Sequence, residues 1–291
     1  MRDLFEHAFT FFDSKKNLTY LKNFGLLISI LSFVFIFTEL KVLEVNLNLI
    51  NYQTYIKSIL LMILSYIMFG ITWATFIHNN LELDNKDSFI YWSYSNLGKY
   101  IPGFIGIPIL RISQSSQIKS KILFYGLLQE QLTPVIVLVP SAVIAMYLNI
   151  KIEKFFIFFV SLVSILFLFK KIFAKFNPLG IHMSYVSNLY ILFAGFLFQY
   201  LSIYLICSDI SQESPHQLAL LYTLSSSVSL IFIGPPSGIG IREFLLFQLS
   251  KTFFVEEVLI TTMISLRVIY FFSDAIIGIL GLLASLRISE K

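Results

Sequence analysis

Gly234-Pro235-Pro236-Ser237-Gly238-Ile239-Gly240-Ile241-Arg242-Glu243 is a polar interruption, rich in proline and glycine, set between apolar segments. Pro235 and Pro236 lack amide donors and fix φ, while Gly234, Gly238 and Gly240 permit backbone geometries closed to other residues. No straight helix runs through such a stretch. In hydrocarbon an unpaired amide or carbonyl costs several kcal/mol, so a break of this kind persists only where protein or a water-filled cavity shields it. Arg242 and Glu243 follow at once, where a helix entering Leu245, Leu246 and Phe247 would begin. Transporters often build substrate sites from broken helices of this kind.

The flanking sequence puts the break in a membrane. Of the 291 residues, 57% are hydrophobic and only 13% charged, with a mean hydropathy of +0.80, which excludes an ordinary soluble domain. The expected fold is an all-α polytopic membrane protein of about seven to eight transmembrane helices. Its expected parts are a cytoplasmic N-terminal segment over 1–22, one membrane domain over 23–286 and a cytoplasmic tail over 287–291. Arg2, Lys15, Lys16 and Lys22 make the first segment too long and too charged for a signal-peptide n-region, so the next apolar run reads as a retained span. The net charge of +4 fits Lys and Arg at cytoplasmic span ends and calls for no nucleic-acid partner. Cys207, the single cysteine, allows neither an intramolecular disulfide nor a cysteine-based metal site, and no cofactor is expected.

Apolar runs predict spans over 23–38, 58–77, 122–148, 155–169, 189–207, 218–233 and 257–286, with a half-length segment over 244–254. His78 closes the second as an interfacial residue. Lys170, Lys171 and Lys175 end the 155–169 span inside, the loop over 208–216 carries Asp209 and Glu213 but no Lys or Arg, and Arg287 and Lys291 place the C-terminus inside. Between 79 and 121 no clean span is found. There Phe89, Tyr91, Trp92 and Tyr94 predict a helix lying in the interface, and Pro102, Gly103, Gly106 and Pro108 predict a re-entrant turn near 95–110; a cytoplasmic amphipathic linker is the alternative. Lys99, Arg111, Lys119 and Lys121 place this region on the inside.

Glu130 lies within membrane-length apolar sequence, where an ionisable side chain is costly and should face a cavity or a partner. A helix–helix hydrogen bond, or a position near the interface, explains it equally well. Arg267, Tyr270, Asp274, Gly278 and Gly281 recur at steps of three or four and share one helical face. Arg267 and Asp274 are therefore expected to line one cavity, an ion pair for packing alone being the competing reading. Ser225, Ser226, Ser227 and Ser229 suit close helix contact, and Gln199 and Tyr204 suit packing hydrogen bonds, a place in a cavity being the alternative.

Pro102-Gly103-Phe104-Ile105-Gly106 echoes Pro236-Ser237-Gly238-Ile239-Gly240, and each is followed by an arginine, Arg111 and Arg242. Such paired breaks point to a central site in an internally repeated transporter. At these residues the chain resembles the flippase-like transmembrane region of lysylphosphatidylglycerol synthases and their stand-alone relatives. A Tyr-x-Pro-Gly motif falls on Tyr100, Pro102 and Gly103. A Pro-Gly-Gly-x-Gly-x-Arg-Glu motif falls on Pro236, Gly238, Gly240, Arg242 and Glu243, and the arginine of the final span on Arg267. Ser237 replaces a glycine often seen there, and Phe104 stands where a basic residue often follows. The chain lacks the soluble aminoacyl-transferase domain of the full-length synthases, so a stand-alone member that makes no lysyl-lipid is expected.

The resemblance implies lipid translocation beside glycolipid or polysaccharide pathways in the cell (inner or plasma) membrane. The leading expectation is a flippase that moves an anionic phospholipid or a polyprenyl-phosphate-linked lipid during cell-envelope or polysaccharide assembly. Arg242, Arg267 and Arg111 would attract phosphate, since arginine's planar fork matches phosphate oxygens. Glu130, Glu243 and Asp274 would hold those arginines when the site is empty. The partners are the lipid and glycosyltransferases or other envelope-biosynthesis proteins. No nucleotide-binding or hydrolase motif is present, so neither an enzyme nor direct ATP drive is expected. Two readings compete: a membrane-embedded transferase on a lipid carrier, with Glu39 and Glu44 as acid or base, and a non-transporting scaffold for glycosyltransferases.

Overall fold

The structure, a computed structural model, describes residues 51–81, 83–100, 106–114, 120–147, 188–230 and 240–289. The predicted spans over 23–38 and 155–169, Glu39, Glu44, and the motif positions Pro102, Gly103, Pro236 and Gly238 lie outside the described residues. Among the described residues every regular element is helical. We number them α1 (Tyr52–Leu81), α2 (Asn85–Ser95), continued by a 3-10 turn (Asn96–Tyr100), α3 (Gly106–Gln114), α4 (Ser120–Tyr147), α5 (Leu189–Ile210), α6 (Pro215–Ser229), α7 (Ile241–Ser250) and α8 (Glu256–Ser289).

Among the described residues four helices contain stretches long and apolar enough to cross a membrane: Tyr52–Leu81, Tyr125–Ile144, Leu189–Ile210 and Glu256–Leu286. The other four are too short. At 1.5 Å per residue the 15 residues of α6 rise roughly 22 Å and the 10 of α7 roughly 15 Å, against a hydrocarbon core of about 30 Å. The run predicted to span over 218–233 thus enters α6, which closes at Ser229 and packs against α7 as one arm of a helical pair. Residues 85–100 and 106–114 are built likewise, with α2 and its 3-10 turn packed against α3.

Long, short, short, long therefore occurs twice, as α1 to α4 and as α5 to α8, and the packing follows the same exchange. The closing long helix of each half lies on the first short arm of the other: α8 on α2, and α4 on α6. The two opening helices form the most extensive contact and run antiparallel, with Asn51 meeting Asp209, Ser58 meeting Ser202 and Phe69 meeting Phe196. Equivalent helices of opposite direction make an inverted repeat, the arrangement in which transporters place a site between halves. Small residues permit the close approach. Ser58 and Ser202 each donate to the other's carbonyl, at 3.1 and 2.8 Å. A Cβ added to Gly281 of α8 would lie 2.6 Å from the backbone nitrogen of Tyr94 in α2.

Polarity runs inward. Ile56, Leu60 and Leu64 of α1 and Leu128, Leu132 and Ile136 of α4 are exposed at four-residue steps, so each helix presents an apolar stripe outward. Lipid is the medium that accepts such stripes. Inside, hydroxyls return to their own helices, as Ser225 does to the Leu221 carbonyl and Thr262 to that of Val258. The aromatics of α2 depart from expectation: Trp92 and Tyr94, read as interface anchors, are 2% and 3% exposed. The helix is clamped between α1 and α8, so its rings pack inside the protein.

Candidate functional site

The two short-helix pairs meet at a cavity of about 190 Å³, to which all eight helices and the 3-10 turn contribute a side chain or backbone. Local sequence sets both walls. Gly98 and Gly106 let the 3-10 turn lie against the start of α3, because a Cβ on Gly98 would sit 2.5 Å from the Gly106 carbonyl carbon. Opposite, α7 starts at Gly240 with φ of 87°, a left-handed conformation that favours glycine. Glu243 folds back there to accept the Gly240 N–H at 2.8 Å, satisfying one of the donors a helix start leaves free. In α4, Pro134 at the cavity wall supplies no N–H, so the carbonyl of Glu130 loses the helical donor four residues on.

Among the described residues three charged groups surround the space. In the first, Arg111 of α3 grips Glu130 of α4 with both terminal nitrogens, at 2.7 and 3.2 Å. Its Nε donates to Ser95 Oγ at 2.9 Å and its guanidinium lies 3.8 Å from the Trp73 ring centroid. Trp92 Nε1 also donates to Glu130, at 2.9 Å. Arg111 is 1% exposed and stays behind the wall, while Glu130 lines it.

The second group shares one carboxylate between two arginines. Arg267 of α8 reaches Glu243 by Nη2 at 2.7 Å and by Nε at 3.0 Å. Arg242 meets the same carboxylate through Nε alone, at 3.3 Å. The Arg242 guanidinium lies 5.5 Å from the Tyr222 ring and 5.3 Å from that of Tyr270, whose hydroxyl accepts from Gln199 at 2.9 Å. Arg242 lines the cavity; Arg267 is not among its described lining residues. The triad carries one positive charge more than negative.

The third group joins the halves. Lys99 of the 3-10 turn donates to Asp274 of α8 at 2.8 Å and stands 4.5 Å from the Tyr66 ring centroid. Both charged residues line the cavity.

Of the residues singled out from sequence, Glu130, Arg242 and Asp274 face the cavity, while Arg111, Glu243 and Arg267 stand as ion partners around it. Gly240 starts α7, and Tyr100 ends the 3-10 turn. Arg267 and Asp274 share a face of α8, as expected, yet reach different partners: seven residues separate them by roughly 10 Å along the axis. Asp274 holds a lysine, not an arginine. Gln199 belongs to the cavity as well as to packing, and Ser226, Ser227 and Ser229 line it. Sequence reasoning missed Lys99, Gln131, Tyr66 and Tyr270 as cavity residues. Lys99 had a signal, two residues into the break between α2 and α3 from Leu97, but it read as a topology marker. Among the described residues no group of three or more His, Cys, Asp or Glu gathers as a metal site. No family model, curated protein or solved structure matches the chain.

Proposed function

We propose that this chain is a membrane lipid transporter that moves a lipid with a phosphate-bearing headgroup, either an anionic phospholipid or a polyprenyl-phosphate-linked lipid, between leaflets. The observation that carries the reading is Arg242, which lines a cavity central to an inverted repeat and belongs to a triad that, among the described residues, carries one positive charge more than negative. A buried surplus cation is expensive without a counter-ion, and a phosphate supplies one in the geometry that guanidinium recognises. Ser226, Ser229 and Gln199 add polar groups beside it for the remaining headgroup oxygens. The resemblance noted at Arg242, Glu243 and Arg267 agrees with this reading. In the cell the protein would sit in the inner or plasma membrane with both termini cytoplasmic, beside the glycosyltransferases of envelope assembly.

Reconstitution tests it. Liposomes holding the wild-type chain should exchange a fluorescent anionic phospholipid between leaflets, read by dithionite quenching, faster than empty vesicles. Arg242→Gln should slow that exchange about tenfold or more, the worth of one charge-assisted hydrogen bond. If wild-type protein moves no phosphate lipid, or Arg242→Gln moves it equally fast, the proposal fails. Product formed from a lipid-linked sugar donor would instead favour the transferase.

A further inference from the structure

We infer that the resting site loads its headgroup from one leaflet, the one at the membrane face where α1 ends and α5 starts, and that the opposite end of the bundle is a packed seal; this rests on the transport reading above and gives that site its sidedness. Helix α5 is the ruler. Its 22 residues rise roughly 33 Å, about one hydrocarbon core, from exposed Tyr190 near one end to Asp209 near the other. Gln199, which lines the cavity, stands roughly 15 Å from the Leu189 end and so at mid-membrane, while Phe196 lies nearer that end. Among the described residues nothing from Tyr200 to Ile210 lines the cavity.

Three other helices give the same depth. On α1, antiparallel to α5, the described lining residues are Tyr66 and Phe69, and Phe69 packs on Phe196. Helix α4 starts level with the end of α1, since a Cβ on Gly126 would sit 2.6 Å from the rings of Trp73 and Phe76, and it descends along the cavity from Glu130 to Leu138. Helix α8 begins at the other face. Its Ser265 accepts from Tyr55, near the start of α1, at 3.0 Å, and α8 reaches the cavity later, at Tyr270 and Asp274. Arg242, beside Tyr270, therefore marks the deep end and Glu130 the mouth. Beyond Arg242 the bundle closes. Ser58 and Ser202 exchange hydrogen bonds there, and Met62, Ile206, Cys207, Leu218 and Leu259 are fully buried. A phosphate crossing that packing would lose its polar contacts, so it meets Arg242 from the Tyr190 side. The loop over 208–216, with Asp209 and Glu213 but no Lys or Arg, lies at the sealed face, which makes the loading leaflet the cytoplasmic one.

Thiol accessibility of the full chain tests this. In a Cys207→Ser background, Gln131→Cys near the mouth and Gln199→Cys at mid-membrane are each treated with a membrane-impermeant methanethiosulfonate in spheroplasts and in inside-out vesicles. Asn85→Cys and Glu213→Cys, at exposed positions, mark the two faces. Both cavity cysteines should react at least about tenfold faster from the Asn85 side than from the Glu213 side, and Asn85→Cys should react in inside-out vesicles. Faster reaction from the Glu213 side, equal rates from both sides, or reaction from neither overturns the inference. Reaction of Asn85→Cys in spheroplasts alone overturns the cytoplasmic assignment. A lipid arm keeps the transport reading separate. In liposomes, phosphatidylglycerol should slow labelling of both cavity cysteines about threefold relative to digalactosyl diacylglycerol, which has no phosphate, as a site two-thirds filled would. Sided labelling without that protection leaves the sidedness standing and overturns the phosphate-lipid reading.

Discussion

The Arg111 and Arg242 regions start from one sequence pattern, a proline- and glycine-rich break followed by an arginine on a short helix, and end in different electrostatics. Arg111 meets one carboxylate bidentately, is covered by Trp73 and Ser95, and is 1% exposed. Charge there is balanced, and the pair fastens α3 to α4. Arg242 shares its carboxylate with Arg267, touches it through one nitrogen, and faces the cavity. Polarity is also reversed between the halves: in the first the arginine is on the short helix and the acid on the long one, while in the second Glu243 is on the short helix and Arg267 on the long one. One break thus becomes a structural lock and the other a charged wall. The difference lies in how many cations each carboxylate serves.

Removing Arg111 should do the most damage to stability. Arg111→Gln strands a largely buried Glu130 and should cost about 3–5 kcal/mol, read by denaturant unfolding in detergent. A loss below about 1 kcal/mol would deny it the locking role. Gly281→Leu should come next, at about 1–3 kcal/mol, because the new side chain meets the backbone of α2, which cannot yield by rotating a side chain. Gly240→Ala should cost about 1–2 kcal/mol from its φ alone, since nothing within 4 Å would meet the added Cβ. Arg242→Gln should cost least, about 1 kcal/mol or less, because Glu243 keeps Arg267 and what is lost is a long hydrogen bond and contacts with two tyrosine rings. Stability losses of equal size at Arg111 and Arg242 would erase the distinction.

Much of the fold was legible because lipid writes long apolar runs into sequence. The predicted boundaries 122–148 and 189–207 lie close to α4 and α5. The helix break before Arg242 was legible too, since proline and glycine act through their own backbones. What sequence withheld was partner choice. Trp92 and Tyr94 read as interface anchors because an amphipathic ring suits a membrane surface and a packed core equally. They are interior because α8 presents Gly281 to the helix that carries them and Gly278 to Leu97 of the turn that follows it. Lys99 read as a mark of cytoplasmic topology. A charge carries no record of its depth, and the residue that answers it, Asp274, lies 175 positions away.

The central claim is that lipid phosphate sits against Arg242 in the cavity between the halves. A cryo-electron microscopy map of the full chain in nanodiscs rich in an anionic phospholipid tests it most directly. Headgroup density is expected within about 3 Å of the Arg242 terminal nitrogens, with Arg111 still closed on Glu130. Headgroup density elsewhere, with the cavity empty and Arg242 unmoved, would contradict it.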